Sequence, residues 1–311
     1  MNNYRRIKAI DTDTGEVLGS VVLKNDGEEL VLKVESTKQK EAIRLKNKQT
    51  TEVIEFIQNN EGAYYHLIYK YGYPLFDRLQ SYYEGNKANI HIIRFMQLAT
   101  HITFGGKLYD SNNNEIKKSS LSKIWDTKSR NSVNETYNIL KECGYIYETK
   151  EGYIMINEDI IVKGAIEDFK KLHKADDSLT YVRIYSNNVR DMYEGTEPKQ
   201  RKQLANLFKA LPYINFKYNI FCMNPTELDF DKLELLNWTD LANICGYEEK
   251  KHIAKFKKDL WNLELYNKPT VGQFSCKKGY YIAINPKVYY GGNDVNDVRH
   301  LYSSFGLFEN K

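Results

Sequence analysis

Two periods of apolar residues, one typical of helices and one typical of strands, alternate along the chain. In the second half, residues Lys202–Leu211 carry apolar side chains at the three- and four-residue spacing that buries one face of a helix. Pro212 ends that pattern, because proline cannot continue a helix, and the FKYNIFC that follows has the composition of a strand. A helix and then a strand are therefore predicted for 202–222.

Two more helices and a ribbon of two strands come next. Thr239 is predicted to cap a short helix, since Thr and Asp ahead of apolar residues favour a helix start. A turn follows at Gly246 and Tyr247, and from Glu248 a second helix keeps one face apolar. Its inward-facing residues are Ile253, Phe256, Leu260 and Leu263. The strand-like stretch 270–284 completes the segment as two strands around a polar loop.

The first half of the chain predicts the same order of elements. They are a helix at 89–100, a strand at 107–110, helices at 120–125 and 128–143, and a ribbon at 145–156. Helix, strand, helix, turn, helix and ribbon is the order of a winged helix-turn-helix. Helix-turn-helix units place their second helix in the major groove of DNA.

Short phrases recur in the same order in both halves, which indicates two copies of one domain. The matches are YHLIY at 65–69 with YVRIY at 181–185, YEG at 83–85 and 193–195, GGKLYD at 105–110 with NFKYNI at 215–220, LSKIW at 121–125 with LANIC at 241–245, and Ile-Asn at 156–157 and 284–285. The last phrase is followed in both copies by a glycine seven residues after the Asn. The separations drift between 110 and 128 residues, as loop insertions would make them drift.

The predicted fold class is α+β and mostly helical, with two tandem winged helix-turn-helix domains and a small N-terminal β-hairpin or meander. The predicted domains are an N-terminal β-meander and helix at 1–61, winged-helix domain 1 at 62–164, a helical connector at 165–177, winged-helix domain 2 at 178–292 and a C-terminal tail at 293–311. The apolar residues of LYSSFGLF in the tail predict that it docks, either on its own chain or on a second subunit.

Composition excludes several classes of protein. The 311 residues suffice for two domains, and 41% hydrophobic with 28% charged residues is typical of a globular chain rather than a disordered one. The sequence contains no run of about 18 apolar residues and no apolar signal segment at its start, so we expect a cytoplasmic protein outside the membrane. The four cysteines are scattered, which predicts neither a metal site nor a disulfide framework.

The second helix of the first predicted unit carries the side chains best suited to reading bases. Arg and Asn make bidentate contacts to guanine and adenine, and the start of this helix is rich in both. The candidate DNA-binding residues there are Thr127, Lys128, Arg130, Asn131 and Asn134.

The second helix of the second unit is instead rich in lysine, which suits phosphates better than bases. The candidates are Lys250, Lys251, Lys255 and Lys258 in the helix and Lys277 and Lys278 in the ribbon loop. Residues 198–278 hold 14 Lys and Arg against 9 Asp and Glu, whereas 88–164 hold 10 against 9. We therefore expect the first unit to read sequence and the second to supply affinity for the backbone, with a solvated lysine face as the plain alternative.

Motifs for other chemistry are missing from the sequence. There is neither a GxxxxGK[ST] phosphate loop nor a GxGxxG, so neither ATP nor a dinucleotide is predicted as a cofactor. His91 and Arg94 form an HxxR pair, but they lie in a helix with apolar periodicity, which favours packing over catalysis. We expect neither an enzyme nor a bound metal.

The opening IDTDTGEVL, the YxxIY stretch, the helix-turn-helix pattern and the closing INPKVYYGG resemble the plasmid- and phage-encoded replication initiators of low-GC Gram-positive bacteria. In that family a winged helix commonly ends in Ile-Asn-Pro followed by a glycine. The first copy departs from this pattern, since Glu158 stands where Pro286 does. The resemblance implies sequence-specific binding of double-stranded DNA at an origin, with host replication proteins as further partners.

Two alternatives stay open at this level. The same DNA-binding fold serves phage or plasmid repressors, because fold does not determine function. Winged helices also serve as protein-interaction units in assembly factors. A homodimer contact through 36–59 or through the C-terminal tail is left open as well.

Overall fold

The computed structural model describes residues 4–10, 17–24, 64–83, 86–164, 179–247, 250–290 and 295–306. The chain divides into two compact units, Met1–Asn59 and Asn60–Lys311. Both repeated segments belong to the second unit.

The N-terminal unit contains an antiparallel hairpin. Its strands are β1 (Tyr4–Ile10) and β2 (Val17–Lys24), paired from Tyr4 opposite Lys24, with a register shift between Ala9 and Ile10. The hairpin agrees with the alternating pattern of this region. The rest of the predicted meander and the helix predicted within 36–59 lie outside the described residues.

The first repeated segment follows the predicted order with shorter elements. In chain order it contains β3 (Tyr64–Tyr69), α1 (Asp77–Ser81), α2 (Asn89–Ala99), α3 (Leu121–Ile124), α4 (Arg130–Glu142), β4 (Ile146–Glu148), β5 (Ile154–Ile156) and β6 (Ile161–Val162). The predicted strand over 107–110 consists of single bridges, Lys107 to Met155 and Tyr109 to Glu115. The bridge from Lys107 to Met155 places this stretch beside β5, on the edge of the β4–β5 hairpin.

The second repeated segment has the same order. It contains β7 (Thr180–Tyr185), α5 (Ser186–Gly195), a 3-10 turn at Arg201–Leu204, α6 (Ala205–Ala210), α7 (Trp238–Ile244), α8 (Lys250–Trp261), β8 (Glu264–Leu265), β9 (Lys268–Pro269), β10 (Val271–Cys276), β11 (Gly279–Ile284) and, in the tail, α9 (Arg299–Ser304). The described chain is therefore a mixture of helices and small antiparallel sheets. The α+β class is confirmed, and the prediction of a mostly helical chain is not supported, because strands accompany the helices in both segments.

Two local predictions need correction. The cap of α7 is Asn237 and not Thr239, because the Asn237 side chain accepts from the backbone N–H groups of Thr239 and Asp240, and Asp240 accepts from Asn237 in return. The FKYNIFC stretch is a turn with isolated bridges, and Asn219 there has a φ of 59°. The two strands around a polar loop predicted for 270–284 are confirmed as β10 and β11, with Lys277 and Lys278 at the turn, and β8–β9 is an additional hairpin.

The two repeated segments meet in one sheet. β3 pairs antiparallel with β7, from Tyr64 opposite Tyr185 to Tyr69 opposite Thr180, and β6 lies on the other side of β3. The repeated phrases YHLIY and YVRIY are thus each other's partners in this sheet. A large hydrophobic core, containing buried residues of both segments, extends across them. The division into two domains at 62–164 and 178–292 remains a prediction, but the segments share a sheet and a core.

The repeated Ile-Asn phrase makes the same hydrogen bonds in both copies. The Asn157 side chain donates to the carbonyl of Gly144 (2.9 Å) and accepts from the N–H of Asp159 (3.0 Å). Asn285 donates to the carbonyl of Pro269 (3.0 Å) and accepts from the N–H of Lys287 (2.9 Å). The repetition in sequence therefore reflects one turn used twice, at the exit of each hairpin.

The turns that follow α3 and α7 also match. Asp126 and Gly246 both have a positive φ, 45° and 83°, and each comes one residue after the equivalent positions of the LSKIW and LANIC phrases. The next N–H bonds back to the residue five before it in both copies, Thr127 to Ser122 (3.0 Å) and Tyr247 to Ala242 (2.9 Å). The left-handed residue lets the chain leave the first helix and enter the second.

The described part of the tail packs on its own unit. Leu301, Tyr302 and Phe305 of α9 and its cap are buried, and the rings of Phe305 and Phe274 of β10 meet edge to face with their centroids 5.3 Å apart. A Cβ atom at Gly272 would lie 2.6 Å from the Phe274 ring, too close to fit without a shift. These residues of the tail therefore dock in cis. Tyr289, the first tyrosine of INPKVYYGG, lies against Tyr69 of β3, with 3.2 Å between hydroxyls.

Replacing either turn asparagine by alanine should lower the free energy of unfolding by about 1 kcal/mol, because each change leaves a partly buried backbone carbonyl without its donor. Urea unfolding of Asn157→Ala and Asn285→Ala measures this. Asn112→Ala, at an exposed loop position, is the matched control and should change stability by less than about 0.5 kcal/mol. Equal stability of all three variants would contradict the shared role of the two asparagines.

Candidate nucleic-acid interface

The start of α4 presents polar side chains to solvent. Ser129 is the N-cap, and its side chain accepts from the N–H of Ser132 at 3.2 Å. Lys128, Arg130 and Asn131, around this cap, are exposed. The cap fixes the first turn of α4, and the side chains of Lys128, Arg130 and Asn131 lie on its outer surface.

The inner face of α4 is anchored by a buried arginine. Arg94 of α2 donates to the Ser132 hydroxyl (2.8 Å) and the Thr136 hydroxyl (2.7 Å). Burial lowers the pKa of this arginine, and His91 beside it is also buried, 3.0 Å from the Thr136 hydroxyl and stacked on Tyr83. The HxxR pair is therefore a packing element, as its apolar periodicity predicted.

Other predicted and unpredicted residues share the outer face of α4. Thr127 and Asn134 are half-buried at its edge. Asn138, two turns beyond Asn131, is exposed on the same side and was missed, although its seven-residue spacing was a readable signal. Glu135 is 56% exposed on this face, so the surface is not uniformly attractive to phosphate.

The hairpin that follows α4 is joined to the helix by hydrogen bonds to a carboxylate. Glu148 of β4 accepts from the Tyr137 hydroxyl (2.7 Å) and from Lys141 Nζ (3.0 Å). These contacts, the tyrosine first, lower the pKa of the Glu148 carboxyl. Lys150 is exposed at the hairpin turn and is a second residue that sequence reasoning missed.

The lysine-rich helix α8 has a clear division of faces. Phe256 and Leu260 are buried, and the Phe256 ring lies 5.0 Å from that of Tyr247. Lys255 and Lys258 are exposed, as the helical periodicity predicted. Lys250 and Lys251 occupy the first turn of the same helix, and their side chains lie outside the described part of the structure.

A third lysine of α8 belongs to an aromatic cluster. Lys257 Nζ lies 5.2 Å from the ring of Trp238 and 5.9 Å from that of Trp261. It is also 3.5 Å from the Gln273 amide oxygen, which accepts from the Trp238 indole at 2.7 Å. These contacts connect α8 to β10, as Glu148 connects α4 to β4.

The two lysines of the second hairpin turn have different surroundings. Lys277 is exposed at the tip between Cys276 and Gly279. Lys278, beside it, donates its ammonium to the backbone carbonyls of Asp231 and Leu233. Both were predicted to bind phosphate; both are exposed, and Lys278 differs from Lys277 in its hydrogen bonds to the two carbonyls.

Among the residues that the structure describes, His, Cys, Asp and Glu do not gather in threes in a way that could hold a metal ion. Within the same residues, every helix is too short or too polar to cross a membrane. Comparison with protein-family models, with curated proteins and with solved structures finds no match for this chain.

Lys278→Met should lower the free energy of unfolding by about 1 kcal/mol, because two carbonyl oxygens lose a charged donor at a partly solvated site. Lys277→Met removes the same charge from the neighbouring residue and should leave stability within about 0.5 kcal/mol of the parent. Urea unfolding of the two variants side by side checks this. Equal losses would show that Lys278 is not a distinct structural contact.

Proposed function

We propose that this chain is a sequence-specific double-stranded DNA-binding protein with two tandem winged helix-turn-helix domains, and that it initiates replication of a plasmid or phage by binding at an origin. The second helices, α4 and α8, enter successive major grooves. The hairpins β4–β5 and β10–β11 act as wings that contact phosphates.

The observation that carries this proposal is the repeated order of a short helix, a left-handed turn, a second helix and a hairpin, with the outer face of each second helix left polar. In the first copy that face begins with Arg130 and Asn131, which suit base edges. In the second it carries Lys255 and Lys258, which suit phosphates. The difference supports a division between reading sequence and binding backbone.

Tandem units favour DNA over a single protein contact. Joining two weak DNA sites in one chain raises the effective concentration of the second once the first is bound. Origin binding, rather than repression, rests on the resemblance of the IDTDTGEVL and INPKVYYGG phrases to the replication initiators.

Crosslinking the tagged protein in its natural host and sequencing the recovered DNA tests the proposal directly. Initiation predicts a cluster of direct repeats, whereas one or two sites over promoters would assign the protein to transcriptional regulation instead. Absence of any enrichment, with efficient crosslinking of a control protein, would exclude DNA binding and favour an assembly role.

Two double variants separate base reading from phosphate binding. Arg130→Ala with Asn131→Ala should reduce discrimination between the target and unrelated duplexes, each lost bidentate contact costing about 1–3 kcal/mol. Lys255→Ala with Lys258→Ala should weaken all duplexes alike and reduce the slope of log K against log salt by about two. Fluorescence anisotropy over a salt series measures both quantities.

A third double variant controls for total charge. Lys199→Ala with Lys202→Ala removes two exposed lysines outside both second helices and should leave the salt slope near that of the parent. If it behaves like the α8 variant, α8 has no special contact with DNA. If the α4 variant keeps full discrimination, the assignment of α4 as the reading helix is wrong.

A further inference from the structure

Buried polar contacts connect the turn of each helix-turn-helix to the other repeated segment. These contacts lie in the interior, away from the exposed faces of α4 and α8. In both copies a contact is made to the backbone carbonyl of the residue that ends the helix before the turn. This residue is Trp125 after α3 and Cys245 after α7.

The turn of the first copy is held by two residues of the second segment. The Tyr193 hydroxyl donates to the carbonyl of Trp125 at 2.9 Å, and Tyr193 and Trp125 are both buried. Arg201 donates to the Asp126 carboxylate at 2.9 Å and to the carbonyl of Tyr193 at 2.8 Å. Asp126 is the left-handed residue of the turn, so Arg201 binds the position where the chain changes direction.

The turn of the second copy is held through a buried lysine. Lys209 of α6 is 2% exposed and donates to the carbonyl of Cys245 at 2.6 Å. The same ammonium is 3.3 Å from the Asn89 amide oxygen, at the start of α2 in the first segment. Lys209 therefore joins the second turn to the first helix of the other copy.

An asparagine pair completes the connection between the segments. Asn89 donates to the amide oxygen of Asn206 at 2.9 Å, and both side chains are almost fully buried. Asn206 in turn donates to the Tyr247 hydroxyl at 3.2 Å, immediately after the second turn. Each polar group in this chain of contacts has a partner only when α2 and α6 keep their observed register.

Such a network adds little to the free energy of unfolding, but it favours one relative position of the two repeated segments over others. Burial lowers the pKa of Lys209 and makes its charged form costly, so its donors must be well placed. A shift between the copies would leave Lys209, Asn89 and the Cys245 carbonyl buried and without partners, whereas apolar contacts alone would tolerate a slide.

We propose that Lys209, with Asn89 and Asn206, is a positioning residue that fixes the separation and angle of α4 and α8, and so sets the spacing between the two DNA segments that this protein recognises. The effect on DNA spacing rests on the proposed DNA-binding function, whereas the positioning of α4 relative to α8 does not. DNA whose two half-sites are moved apart by one base pair turns by about a tenth of a helical turn, and a rigid pair of helices cannot follow it.

The coupling is tested without DNA by a distance measurement between spin labels. Glu142→Cys in α4 and Ala254→Cys in α8 are exposed labelling positions, and Cys276→Ser removes the least buried native thiol. We expect a narrow distance distribution in the parent, a broadened or shifted one in Lys209→Met, and a narrow one in Lys209→Gln, which keeps an N–H donor. Lys202→Met, an exposed lysine of the adjacent 3-10 turn, is the matched control and should stay narrow.

The consequence is tested with duplexes selected from a random pool and then varied in the distance between half-sites. The parent should lose affinity roughly tenfold for a one-base-pair insertion, as expected if one unit releases its phosphate contacts. Lys209→Met should show a loss of less than about threefold, with unchanged affinity for a single half-site, and Lys209→Gln should regain the parent's preference.

The outcomes separate the two proposals. A narrow, unshifted distance distribution in Lys209→Met that keeps its circular dichroism spectrum would overturn the positioning role, whatever the DNA result. A broadened distribution together with a parent that selects no DNA would uphold the coupling and overturn the proposed function. Spacing preference unchanged in a variant with a broadened distribution would refute the link between coupling and recognition.

Discussion

The pairing of β3 with β7 is the contact on which the second unit depends. These strands carry the repeated YHLIY and YVRIY phrases, and they pair antiparallel over six residues each. Two copies of a small domain would each have an exposed strand edge and a small core. Pairing the equivalent strands satisfies their backbone groups and lets the two cores merge into one. The helix α5 packs against both of these strands.

Buried polar groups then decide how the helices are arranged around that core. Arg94, Lys209 and Arg201 are all less than 9% exposed, and each donates to carbonyl or hydroxyl oxygens of the protein interior. Side chains of this kind are costly to bury unless every donor is placed. Apolar contacts supply most of the stability of the unit, and these polar contacts select one arrangement among the many that an apolar core would accept.

The basic residues of the outer surface differ in whether they also bond to the protein itself. Lys128, Arg130, Asn131, Lys255, Lys258 and Lys277 are exposed, whereas Lys257 and Lys278 of the same basic regions contact aromatic rings or backbone carbonyls of the protein itself. Lysines that neighbour one another in sequence therefore differ in what they can offer a polyanion. The candidate interface therefore contains fewer available lysines than the sequence of these regions suggests. Asn138 and Lys150, which were not among the predicted residues, extend it.

The sequence by itself determined the local elements and their repetition. Apolar spacing is sufficient to locate α2, α4 and α8 within a few residues, because one buried face per helix is a local property of the chain. The repeated Ile-Asn phrase indicated two copies of one unit, and Asn157 and Asn285 make equivalent hydrogen bonds, each accepting from an N–H two residues ahead. Only the tertiary structure decided that the two copies share a sheet and that Lys209 is buried against Asn89. Partners 120 residues apart, like this pair, leave no periodic signal in a single sequence, and a lysine reads as exposed until its surroundings are known.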